Sequence, residues 1–287
     1  MSIGQVSRHL SNMKDNPLDG ARGKPHFDSA RGKLSIVATP IGNLEDITLR
    51  ALRVLKEADV VACEDTRTSK KLLSHYDIHT PQTSFHTHSG EKGFAKILAL
   101  LEEGKSVALI SDAGTPGVSD PGQELVSVVR ERLPDVSIET IPGPSALAAA
   151  LAIAGLRAAS FTFYGFLPLK KGRETLFREI ASSERASIFY ESPHRILKAL
   201  QSLSIAFAKQ AGEGEEGLPA GVRSADAKEG LPAGVPPGAG RRRVGIFREL
   251  TKMHEESLVG SVDELITLLT TDANHQRGEF VVIVEGC

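Results

Sequence analysis

Four segments of this 287-residue chain combine small residues with side chains able to hold or transform a ligand. Ser111-Asp-Ala-Gly-Thr-Pro-Gly117 offers a backbone that a ligand can approach closely. Within it Asp112 supplies a carboxylate able to accept hydrogen bonds from hydroxyl or amine groups. The same loop equally suits a tight strand-to-helix turn in which Asp112 caps locally. Pro142-Gly-Pro-Ser145 is open to the same two readings, with Ser145 placed to N-cap the alanine-rich run behind it. Tyr190-Glu-Ser-Pro-His-Arg195 brings an acid, an imidazole and a guanidinium together, and Arg248-Glu-Leu-Thr-Lys252 with Glu255 forms a second polar cluster. Charge runs of this kind are usually solvated ion-pair surface. His75, His79, His86 and His88 invite a metal. An alternating pair on a strand points to opposite faces, however, and no carboxylate or cysteine completes a ligand set, so no metal is expected. His86 and His88 read better as hydrogen-bonding or acid–base residues.

Absences narrow the chemistry further. The chain has no GxxxxGK[ST] phosphate loop, no HExxH, no GxSxG elbow and no GxGxxG after its first apolar run, so ATP-driven and hydride-transfer chemistry are poorly supported. Its two cysteines, Cys63 and Cys287, form no CxxC pair, which argues against a disulfide framework and for a reducing cytoplasm. No stretch reaches the roughly 18 apolar residues of a membrane span. With 34 basic and 36 acidic side chains the formal charge is −2, which excludes a generic polycation. Basic residues nevertheless gather at Lys170, Lys171, Arg173 and Arg178, and at Arg241, Arg242, Arg243, Arg248 and Lys252. Clusters that share a face would give a local positive potential.

The elements that must position these residues alternate. Apolar runs predict strands at 34–38, 59–63, 106–110 and 136–140, separated by helices over about 47–56, 66–74, 91–103 and 122–132, with an alanine-rich helix ending near Gly155. This order predicts an α/β domain over 34–157 with a mainly parallel sheet, whose Gly/Pro loops lie at the carboxyl ends of strands, the default ligand site of such sheets. Strand-like runs at 161–165, 187–190 and 281–284 predict a second, mixed-sheet α/β domain over 158–287. Residues 208–240 are rich in Gly, Ala and Pro, repeat Glu-Gly-Leu-Pro-Ala-Gly-Val twice, and are expected to be a disordered insertion. Residues 1–33 are expected to be a flexible extension.

Taken together, several segments resemble one family in one order. They are Thr39-Pro-Ile-Gly-Asn-Leu-Glu-Asp46, Cys63-Glu-Asp-Thr-Arg67, Phe85-His-Thr-His88, Ser111 to Gly122, Ile141-Pro-Gly-Pro-Ser-Ala146, Phe163-Tyr-Gly-Phe-Leu-Pro168, Phe189 to Arg195 and Arg248 to Lys252. They look like the ribosomal RNA small-subunit methyltransferase I family, the 16S rRNA cytidine 2′-O-methyltransferases of the tetrapyrrole methylase superfamily. The resemblance implies two α/β domains with S-adenosylmethionine between them, a homodimer, a small-ribosomal-subunit substrate, and no metal or membrane partner. Carried onto this chain, Pro40, Asp112, Ala113, Gly114, Thr115, Pro116, Pro142, Ser145 and Ala146 would line the donor site, with Phe166 closing it. Glu191, His194 and Lys252 are its candidate bases, with Asp65 and His86 behind them. Arg67, His86, His88, Arg195, Arg248 and Lys252 would hold RNA. Ser89 departs from the family pattern, which carries Asn after the second histidine. The competing readings are a small-molecule tetrapyrrole methylase and a non-catalytic RNA-binding assembly factor.

Overall fold

The computed structural model describes residues 32–85, 90–215 and 242–287. His86 and His88, residues 1–31 of the expected N-terminal extension and most of the repeat-bearing segment lie outside the described residues, and Lys33, expected to close that extension, is the first residue of the first strand. Two five-stranded sheets account for the architecture.

The first sheet has the order β3-β2-β4-β1-β5 and is parallel throughout, with β1 Lys33–Val37, β2 Val60–Cys63, β3 Gln82–Ser84, β4 Ser106–Ile110 and β5 Ser137–Ile141. Its inner strands are apolar on both faces because helices cover both. In β4, Ala108 and Ile110 face α1 (Leu49–Glu57) and α2 (Thr66–His75), while Val107 and Leu109 face α3 (Gly90–Glu102) and α4 (Gly122–Arg132). Helix α1 starts at the Thr48 cap, whose hydroxyl accepts the Ala51 N–H at 3.1 Å, so Ile47 precedes the helix it was expected to open.

The second sheet has the order β6-β7-β10-β8-β9, with β6 Phe161–Phe166, β7 Ala186–Glu191, β8 Val244–Arg248, β9 Glu256–Gly260 and β10 Phe280–Val284. Only β6 and β7 run parallel, so this sheet is mixed. Strand β10 is buried along its whole length. Phe280, Val282 and Val284 pack against α6 (Arg173–Ser182), α7 (Ile196–Glu215) and α8 (Val262–Thr271). Val281 and Ile283 point the other way, onto α5 (Ala146–Ile153). Helix α5 follows β5 in the chain, yet its Ala150 sits on the second sheet, and its small side chains let it lie close to that sheet. It is therefore the element that joins the two layers.

Helix α7 runs through Glu215, so its end overlaps the start of the segment expected to lack structure. The Phe207-Ala-Lys-Gln-Ala211 run has high helix propensity and continues the helix toward Gly212.

Candidate active site

The carboxyl ends of the first sheet's strands face the second sheet across a cleft with a volume of about 230 Å³. At the β1–β4 junction the sheet order switches, and the two loops are tied by main-chain bonds. Thr39 N–H donates to the Gly114 carbonyl at 2.9 Å and Gly114 N–H to the Thr39 carbonyl at 3.1 Å. Gly114 holds φ +81°, and Thr115 Oγ1 donates to the Pro144 carbonyl at 3.0 Å, fixing the second Gly/Pro loop against the first. Ser145 occupies the cap position of α5 but makes no side-chain cap bond. It lines the cleft instead.

One wall is acidic. Glu64 follows β2 directly, and Asp112 and Asp120 come from the loop after β4. Asp112 Oδ1 accepts the Asp65 N–H at 3.2 Å, so its bond crosses to a neighbouring loop and does not cap its own turn. Asp120 accepts the N–H groups of Gly117 and Gly122 at 2.7–2.8 Å, closing the loop. Partial burial and the nearby Asp120 and Asp112 charges push the Glu64 carboxyl up to about 7.

The other wall belongs to the second sheet. Phe166 is 59% exposed at the lip. Its ring meets Tyr190 edge-on at 5.4 Å, and Tyr190 meets Phe163 in the same way at 5.0 Å. Gly165, at φ +62° where the β6 register shifts, turns Phe166 outward. Below lies the Arg248–Lys252 turn, where Glu249 (φ 49°) and Thr251 (φ 67°) hold conformations unusual for non-glycine residues. The turn is held by its own side chains together with Glu279. Lys252 Nζ sits 2.9 Å from both Glu249 Oε1 and Glu279 Oε2, and Glu249 Oε1 also accepts the Glu279 N–H at 3.0 Å. Burial works against the Lys252 ammonium, but those two carboxylates outweigh it and raise its pKa.

Of the residues singled out from the sequence, the structure brings Asp112, Ala113, Gly114, Thr115, Ser145, Ala146, Phe166, Glu191 and Lys252 to the cleft. Pro40, Pro116, Pro142, His194, Arg67, Arg195 and Arg248 are not among its lining residues. Glu191 reaches the cleft fully engaged. It is 1% exposed, its Oε2 lies 2.9 Å from Arg173 and its Oε1 2.7 Å from Arg195, and Oε1 also accepts the Ser192 N–H at 2.9 Å. Arg195 is correspondingly turned inward, donating to Ser192 Oγ and the Leu167 carbonyl. Arg248 is likewise interior, pairing with Glu256 at 2.7 Å and donating to the Asn274 and Arg277 carbonyls. His194 is exposed outside the cleft. Arg67 is exposed as well and pairs with Asp65 at 2.7 Å. Sequence reasoning passed over Glu64, Asp120, Tyr190 and Glu279 as site residues. Glu64 carried a signal, an acid directly behind a buried strand, whereas Glu279 carried none.

The comparisons with known proteins agree with this geometry. Residues 33–266 match the family model described as Tetrapyrrole (Corrin/Porphyrin) Methylases. The chain is 41% identical over 258 residues to Ribosomal RNA small subunit methyltransferase I of Halalkalibacterium halodurans, covering 89% of this chain and 76% of that protein. It is 38% identical over 255 residues to the protein of the same name from Thermotoga maritima, covering 89% and 99%. Among solved structures, the methyltransferase CobJ superposes with a TM-score of 0.56 at 18% identity over 89% of this chain and 95% of that one. Uroporphyrin-III C-methyl transferase from Thermus thermophilus, complexed with S-adenyl homocysteine, gives 0.53 at 18% identity over 88% and 97%. At that identity the structures share the fold. With the family model spanning the first sheet and four strands of the second, and relatives near 40% identical along almost the whole described chain, this protein belongs to the tetrapyrrole methylase family and, within it, to the ribosomal RNA small subunit methyltransferase I group.

Proposed function

We propose that this protein transfers a methyl group from S-adenosylmethionine to small-subunit ribosomal RNA, and specifically to the ribose 2′-oxygen of a decoding-region cytidine. The observation that carries the reading is the cleft itself. Its backbone-lined loop and acidic wall of Glu64, Asp112 and Asp120 suit a donor bearing a sulfonium and an ammonium group, because carboxylates in a partly desolvated cleft attract cations. The donor, when bound, supplies an electrophilic methyl group. The remaining chemistry falls to this chain's residues, which hold donor and hydroxyl in line and accept the hydroxyl proton.

Lys252 suits the acceptor side. Held as an ammonium by Glu249 and Glu279, it can bind an anionic or oxygen-bearing group at the cleft but has no free pair to take a proton. Glu191 suits a supporting role, since both its oxygens are already engaged. Exposed Arg67, at the start of α2 just behind Glu64, suits a phosphate contact. The names of the relatives support the RNA substrate. The proposal includes a homodimer acting in the cytoplasm.

The test is to supply isotopically labelled donor with 30S subunits, naked 16S rRNA or a tetrapyrrole and to map the labelled atom. Label on the 2′-oxygen of a decoding-region cytidine is expected. Label on a base atom would keep the RNA substrate and overturn the ribose assignment, label on a macrocycle carbon would overturn both, and donor binding without transfer would leave an RNA-binding factor.

A further inference from the structure

We propose that the Glu64 carboxylate is the group that accepts the proton from the hydroxyl receiving the methyl group. This rests on the methyl-transfer reading above and adds to it the identity of the base. Glu64 stands at the carboxyl end of β2, lines the cleft, and is half-buried there. The other candidates among the described residues are engaged or displaced. Glu191 is closed by two arginines and an N–H, Lys252 is held as an ammonium between two carboxylates, His194 lies off the cleft, and Asp65 is paired with Arg67.

The charges around Glu64 explain why it suits the task. Asp112 and Asp120 approach it from the loop after β4, Cys63 and Asp65 flank it in its own segment, and Lys252 stands among the residues of the facing wall. A carboxyl among carboxylates holds its proton until a positive charge arrives. It is then deprotonated in the same complex that needs a base. In the transfer step the acceptor oxygen bonds to the methyl carbon as the carbon–sulfur bond breaks. The bonding pair stays on sulfur, which becomes a neutral thioether, and the hydroxyl proton moves to a Glu64 oxygen. Product release and exchange with water return that proton to solvent.

Glu64→Gln in the full chain tests this, assayed with labelled donor on 30S subunits. At saturating donor, kcat is expected to fall by about 100-fold or more, with donor affinity by calorimetry changed only several-fold. The wild-type rise of kcat/KM with pH near 7 should vanish in Glu64→Gln and persist, at lower rate, in Glu64→Asp. An activity-independent readout accompanies these: the melting temperature of Glu64→Gln relative to wild type should rise between pH 5 and pH 8, as a removed titrating carboxyl requires. A wild-type-like kcat in Glu64→Gln, a surviving pH limb, an unchanged melting difference, or a loss confined to donor affinity would each overturn the assignment. Absence of transfer to RNA by the wild type would overturn the functional reading and this inference with it, whereas the outcomes confined to Glu64→Gln leave that reading intact.

Discussion

Two glutamates of the cleft illustrate how environment sets a residue's task. The Glu64 carboxyl, raised from the usual 4.5 to about 7, costs the fold nothing in acid, where folded and unfolded chains both hold the proton. Between those values the unfolded chain ionises first and stability falls. Above about pH 7 the penalty is complete, on the order of 1–2 kcal/mol once screening at a half-exposed site is allowed for. Glu64→Gln should therefore be more stable than wild type at pH 8 and gain little at pH 4. Glu191 lies in the opposite situation, a buried carboxylate matched by Arg173 and Arg195. Glu191→Gln leaves the buried Arg173 guanidinium and the partly buried Arg195 guanidinium without their counter-charge and is expected to cost about 3–5 kcal/mol by chemical denaturation. Since the chain has no tryptophan, circular dichroism is the suitable probe.

At the scale of elements, the shape of the cleft depends on where strands break their own pattern. Strand β6 shifts register at Gly165, and a methyl group there would lie 2.5 Å from Ser119 Oγ of the loop after β4, itself at φ +70°. Gly165→Ala thus meets both a positive-φ cost and a steric one. We expect a loss of about 1–3 kcal/mol together with weaker donor binding as Phe166 is displaced; unchanged values in thermal melts and calorimetry would contradict this account of the bulge. Strand β10 shows the complementary case, with each residue committed to one face or the other.

For the molecule as a whole, the two sheets meet directly at the cleft as well as through α5. Asn43 N–H, just past β1, donates to Thr251 Oγ1 at 3.1 Å. A methyl on Gly42 would run into the Lys252 side chain and lie 2.8 Å from Thr251 Oγ1. Gly42→Ala is expected to keep its circular dichroism spectrum while losing transfer activity by about tenfold or more, since a small displacement of a binding group is costly. Full activity in that variant would show that the two sheets need not meet so closely. The expected basic faces are also redistributed at this scale. Arg173 pairs with Glu191, Arg242 donates to the Ile180, Ser183 and Glu285 carbonyls, Arg243 pairs with Glu285 and Arg248 with Glu256. Those cations hold the second sheet's surroundings together, while Lys170, Lys171 and Arg178 remain exposed.

The alternation of apolar runs and amphipathic stretches determined the parallel first sheet and the position of the Gly/Pro loops, because period and punctuation are local properties of a chain. Through the family they resemble, short motifs likewise marked Asp112, Ser145 and Lys252 as site candidates. The short strand β3, strand β8 and the edge strand β9 escaped that reading, for a three-residue strand has too little period to register, β8 follows directly on a run of arginines, and β9 alternates without a strong apolar face. Which charged residue faces the cleft and which is neutralised was beyond the reach of sequence. Glu191 and Arg195 sit in a motif that reads as chemistry, yet their partners Arg173 and Leu167 lie some turns of chain away and meet them only when α6 and β6 pack beside β7. Glu64 reads as one acid among several, and becomes distinct only when the loop after β4 brings Asp112 and Asp120 beside it. Pairing and desolvation are properties of distance in space, so the tertiary structure alone decided them.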